Sequence, residues 1–219
     1  MKPRLALSFV LAMLCITLTA VLPAVAQQTL YENGPINGNV DAWTINFGFF
    51  VGDTFTVSAG TSTISGFSFG AWLFPGDVLE TAELTLESNP LGTVYFDQSI
   101  SFTASGCSLN QYGFDVCTES ANFAGPTLPN GSYWAILQNA VVNDGDPIYW
   151  DENSGVGCHS PGCPSQTLIN EGSIPSESFT ILGTASSTST TTSVPEPGSL
   201  LLFATGFFGL AAAVRRRLL

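Results

Sequence analysis

Apolar and polar residues alternate along much of the chain between Gln27 and Gly183. Trp43, Ile45 and Phe47 alternate with Thr44 and Asn46, and Phe55 and Val57 with Thr54, Thr56 and Ser58. Leu84 and Leu86 alternate with Glu83, Thr85 and Glu87, which predicts one dry and one wet face. Val94, Phe96, Ile100 and Phe102 share a parity, Tyr133, Ala135 and Leu137 oppose Trp134, Ile136 and Gln138, and Phe179 and Ile181 end the series. A period of two in segments rich in Val, Ile, Phe, Tyr and Thr is the pattern of half-buried strands. Asn33-Gly34, Gly52-Asp53, Pro75-Gly76 and Asn89-Pro90 supply turns between the segments. The interval contains no amphipathic helix of three turns. The expected fold is all-β: an antiparallel, jelly-roll-like β-sandwich of about eight strands.

The two ends differ from this body. Residues 1–26 place Lys2 and Arg4 before an apolar run from Leu5 to Leu22 and Ala24-Val25-Ala26, the order of a secretory signal peptide cut after Ala26. The body occupies 27–183, and a Ser/Thr-rich stretch at 184–193 has nothing to bury and reads as a flexible linker. In the final segment, 194–219, the uncharged run Gly198–Val214 is 17 residues long. As a helix it would span roughly 25 Å, close to the minimum for crossing a bilayer, so a transmembrane helix is expected there. Arg215, Arg216 and Arg217 follow and would hold that end on the cytoplasmic side.

Val194-Pro195-Glu196-Pro197, the apolar run and the cluster Arg215, Arg216, Arg217 together resemble the PEP-CTERM sorting signal of exported bacterial proteins. The resemblance covers about 25 residues of the 219. It implies export through signal peptidase, transient membrane anchoring, and cleavage near Pro-Glu-Pro by an exosortase, a membrane protease-transpeptidase. The usual destination it implies is the cell surface or an exopolysaccharide matrix. The body itself resembles no characterised family.

Charge narrows what the body can do. All 17 Asp and Glu, and none of the five Lys and Arg, lie between Gln27 and Val214, so that interval has a formal charge of about −17. Nucleic-acid binding, which depends on neutralising phosphates, is excluded, as are Lys or Arg clamps on anions. Such a surface repels itself and attracts divalent cations.

Four cysteines remain after the signal peptide: Cys107, Cys117, Cys158 and Cys163. An even number in an oxidising compartment predicts two disulfides; of the three connectivities, the local pairs 107–117 and 158–163 are preferred.

Candidate chemistry is sparse. The single histidine, His159, would have to be the base of any Ser-His-Asp triad, but it sits between Cys158 and Cys163, where a disulfide would constrain it, and multi-histidine metal sites cannot be assembled. No catalytic residue is assigned and no cofactor is required. Asp144, Asp146, Asp151 and Glu152 gather oxygen ligands around a turn and are candidate calcium ligands, although Asp is also a common turn former. Trp72, Tyr149 and Trp150 are candidates for a carbohydrate-binding face, core packing being the competing use. Paired carboxylates such as Asp151-Glu152, or Glu83 with Glu87, leave room for a secreted glycoside hydrolase.

The expected function is that of a non-catalytic surface or extracellular-matrix protein associated with exopolysaccharide. A calcium-dependent adhesion or carbohydrate-binding module is the alternative, and the hydrolase comes third.

Overall fold

The computed structural model describes residues 27–153, 165–167, 173–174 and 176–186. The expected signal peptide, linker, transmembrane segment and sorting motif, with Cys158, His159 and Cys163, lie outside them. Among the described residues there is no helix, and none long and apolar enough to cross a membrane.

Among the described residues twelve strands form one antiparallel network: β1 (Gln28–Glu32), β2 (Ala42–Thr44), β3 (Phe50–Leu73), β4 (Leu79–Glu87), β5 (Val94–Ser101), β6 (Thr103–Leu109), β7 (Asp115–Asn122), β8 (Thr127–Val142), β9 (Tyr149–Asp151), β10 (Ser165–Thr167), β11 (Ser173–Ile174) and β12 (Phe179–Ser186). The main path runs β1-β12-β3-β8-β4-β5.

Strand β3 organises the molecule. Its first part, Phe50 to Val57, pairs with Gln138 to Gly131 of β8; its last part, Gly66 to Leu73, pairs with Asn122 to Asp115 of β7. Between them the β8 register slips from Val57 to Thr61, around Gly60 at φ 54°. Glycine takes that conformation without a Cβ clash, so the bulge can re-aim the strand. Beyond the bulge β12 runs along the other edge of β3 as far as Phe69, and β9 continues that edge at Ala71 and Trp72.

The two parts of β3 enclose one core. Phe55, Leu84, Leu86 and Leu137 are fully buried from one side, and Phe67, Phe69, Trp150 and Ile181 from the other. Strands that share no hydrogen bonds meet across it: Phe96 of β5 stacks on Phe123, which follows β7, with centroids 4.8 Å apart, and Phe69 meets Phe102 edge-on at 5.3 Å. Each fully buried ring contributes roughly 1.5–3 kcal/mol, and half-buried Phe123 less.

The alternation in β4 marks its dry face correctly, but the face expected to be wet is largely covered. Thr85 and Glu87 are buried, because Glu87 lies opposite Trp134 of β8 and its Oε1 accepts the Leu91 amide at 3.0 Å. The preferred disulfide Cys107–Cys117 is formed and ties β6 to β7.

Candidate functional site

The loop joining β1 to β2 folds across the outer face of β3, β7 and β9. Asp151, at the end of β9, holds it there. Its Oδ2 accepts the Asn37 amide at 2.9 Å and the Ser178 hydroxyl at 3.2 Å; its Oδ1 accepts the Gly38 amide at 3.0 Å and the Trp72 indole N–H at 2.6 Å. Burial raises the Asp151 carboxyl above its ordinary value, and these four donors act against that rise. Glycine at 38 is required twice over: φ is +62°, and a Cβ there would stand 2.6 Å from Val116 Cγ2.

Between this loop, β6 and β7 lies a groove of about 300 Å³, lined by Ile36, Asn39, Ser108, Leu109, Val116 and Thr118 among others. Ser108 flanks Cys107, while Val116 and Thr118 flank Cys117. The disulfide therefore braces the groove from behind, with Cys117 itself in the core. Asn110 closes one end: its Nδ2 donates to the Gly38 carbonyl at 3.1 Å, and its Oδ1 accepts the amides of Tyr112 and Phe114.

An aromatic cluster adjoins the groove. Tyr112 stacks on Trp72 with centroids 5.6 Å apart and donates its hydroxyl to the Asn39 carbonyl at 3.3 Å. Phe114 touches Trp72, Phe74 and Tyr149. Tyr112 is 54% exposed, whereas Trp72 beneath it is 5% exposed.

The aromatic residues singled out in the sequence are thus divided. Trp72 and Tyr149 belong to this outer cluster, but Trp72 is its buried floor and Tyr149 is half-buried. Trp150 points to the opposite side of β9 and is completely buried among Phe67, Phe69 and Phe179, so it offers no surface to a sugar. The most exposed ring of the cluster is Tyr112, which lies in a turn with no strand periodicity to mark it.

The four acidic candidates also fall in two places. Asp144 and Asp146 are exposed and join Asp77, with carboxylate oxygens of all three within 4.8 Å of one another. Burial, a hydrogen bond to Asp144 and the charges of Asp144 and Asp146 push Asp77 up to about 6. Asp77 follows the Pro75-Gly76 turn, which was the only signal available for it. Asp151 and Glu152 are buried elsewhere; Glu152 Oε1 accepts the Trp43 indole N–H at 2.6 Å. With its donors already in place, Asp151 is a brace for the loop and not part of that acidic group.

The remaining carboxylate pairs are held by the protein. Glu83 accepts from Gln138 at 2.5 Å and from Asn139 at 2.9 Å. Buried Asp53 accepts from Asn33, Ser176 and the Glu177 amide. Glu177, also buried, is raised well above the usual carboxylate range by burial and by the charges of Asp53, Glu152, Asp151 and Asp41.

No curated protein matches the chain. Residues 193–217 match the model of the PEP-CTERM protein-sorting motif. The chain therefore carries the sorting signal of an exported, cell-surface-directed protein processed by an exosortase-type system.

Proposed function

We propose that this is a non-catalytic protein of the cell surface or extracellular matrix, delivered by exosortase-type processing and associated there with exopolysaccharide. The sorting motif at 193–217 carries the reading. The charge of the exported interval agrees with it: an acidic body without a single Lys or Arg stays soluble and does not adhere to the cell's own anionic polymers. The body is a jelly-roll-like sandwich, preceded by a signal peptide and followed by a transient transmembrane anchor. Intact mass and fractionation of the native protein test this. Recovery in the surface polysaccharide fraction with a C-terminus near Pro195–Pro197 is expected. A chain still ending at Leu219 and confined to the inner membrane would sink it.

The cluster of Asp77, Asp144 and Asp146 supports a second reading, a calcium-dependent adhesion module. Three carboxylates on two adjoining turns, with no Lys or Arg anywhere in the body, supply the hard oxygen ligands that calcium takes. Calorimetric titration with calcium, repeated on Asp144→Asn, tests it: heat of binding lost in the variant is expected, and no heat in the native sequence would reject it.

A further inference from the structure

We propose that the groove between the β1–β2 loop and strands β6 and β7 binds a neutral saccharide, with Tyr112 as its stacking ring. The inference rests on the polysaccharide-associated reading above and assigns it a site and a ligand class.

Polar groups around the groove divide into two sets. Asn37 and Asn110 are committed to the walls: Asn37 donates Nδ2 to the Glu152 carbonyl at 3.1 Å and accepts the Asn39 amide at 2.8 Å, and Asn110 fastens Gly38, Tyr112 and Phe114. The side chains of Asn39, Ser108 and Thr118 line the same groove and have no hydrogen-bond partner of their own among the described residues. One amide and two hydroxyls, each able to donate and accept, match the vicinal hydroxyls of a pyranose. Ile36 and Val116 give the groove an apolar side suited to the sugar's C–H face.

Tyr112 has one face fixed on Trp72, yet more than half of its surface is open. Its position is set before any ligand arrives, by the Asn110 acceptor, the Trp72 stack and the hydroxyl bond to Asn39. A pre-positioned ring loses little entropy on binding. The volume of about 300 Å³ is at the lower end for a small-molecule site, enough for one sugar residue with its neighbour lying over Tyr112. Beside it, β6 is a sheet edge exposed along its whole length, which leaves the groove open for a chain to pass through.

Charge selects the ligand class. The body has no cation to meet a uronate or a sulfate, and its acidic field repels both. A neutral polysaccharide meets no such barrier.

The test uses the full-length protein in a polyoxyethylene detergent, which carries no sugar, with chelator present to silence any calcium effect. Neutral oligosaccharides of glucose, mannose, galactose and N-acetylglucosamine are titrated by calorimetry against the native sequence, Tyr112→Ala, Tyr112→Phe and the double variant Ser108→Ala/Thr118→Val. Binding of at least one series is expected, weakened by about tenfold or more in Tyr112→Ala and in the double variant and retained in Tyr112→Phe. The double variant changes two outward side chains and decides the matter if Tyr112→Ala misfolds. Binding equal in all four proteins would overturn the groove assignment. So would absence of neutral-sugar binding while the native protein still fractionates with exopolysaccharide, an outcome that leaves the broader reading standing. Absence of both would overturn the two together.

Discussion

The Trp72 indole donates to Asp151 Oδ1 at 2.6 Å, joining the middle of the aromatic cluster to the carboxylate that pins the neighbouring loop. Neither residue reaches solvent to any extent, yet each fixes something that does: Trp72 supports exposed Tyr112, and Asp151 holds Asn37 and Gly38 at the wall of the groove.

Replacing Asp151 by Asn should therefore be costly although the shape is kept. One carboxylate oxygen becomes an NH2 group, and whichever way the amide turns, an oxygen that served two donors is lost. Orphaned buried donors cost about 1–3 kcal/mol each, so a loss of roughly 2–4 kcal/mol is expected by denaturant unfolding. The Trp72 fluorescence should shift with it, whereas Asp144→Asn, at an exposed turn, should stay within about 0.5 kcal/mol.

Stability should fall as pH rises, the reverse of ordinary acid denaturation. Glu119, on the inner face of β7 and 1% exposed, has neither carboxyl oxygen hydrogen-bonded among the described residues, and burial pushes it from 4.5 up to about 7. Between those values the folded state holds a proton that the unfolded chain has released, so each step up in pH favours unfolding. Glu177, Asp77, Asp151 and Glu152 are raised too and add in the same direction. For Glu119 alone the difference across the window is about 3 kcal/mol, complete once pH exceeds 7. Melting temperatures at pH 5 and pH 8 measure this. The native protein should melt higher at pH 5, and Glu119→Gln should narrow the gap; a protein more stable at pH 8 would refute the argument.

Much of the fold was legible because burial here follows a period of two: Phe55 with Val57, Leu84 with Leu86, and Tyr133 with Ala135 and Leu137 all face the core as alternation requires. Strand β3 was not legible as one element. Its middle, Ser58 to Ser65, is a run of Ser, Thr, Gly and Ala with one Ile and no alternation to mark a strand, and the turn expected at Gly52-Asp53 lies inside β3. Only the partners β8, β12 and β7 make it continuous, and they come from more than 40 residues away. The site was hidden for a related reason. Asp151 and Glu152 look like surface acids until donors at Asn37, Gly38, Trp43 and Trp72 are brought to them by the sheet. Tyr112 and Phe114 lie in a turn that Asn110 organises through local amide bonds, where no periodicity distinguishes an exposed ring from a packed one.

Binding of calcium at Asp77, Asp144 and Asp146 should be coupled to proton release. Asp77 is pushed up to about 6, so below that pH it keeps its proton and the cluster offers one charge fewer. Affinity measured at pH 7.5 should exceed that at pH 5.5 severalfold, and the binding heat should vary with the buffer's ionisation enthalpy at the lower pH. Asp77→Asn should abolish both effects.

The Cys107–Cys117 bridge should matter to the groove more than to the core. It closes a separation of 10 residues, worth roughly 2–3 kcal/mol in the chain-entropy account, a loss that the remaining core should survive. Strand β6, however, has no neighbour but β7 among the described residues, is exposed throughout, and shifts register between Ser105 and Ser108. Without the bridge, few contacts keep Ser108 and Leu109 opposite the β1–β2 loop. In Cys107→Ser/Cys117→Ser, hydrogen exchange should accelerate first at the amides of β6, while those of β3 and β8 stay protected. Uniform acceleration across all strands would mean that the bridge supports the whole core instead, and that the groove has no separate dependence on it.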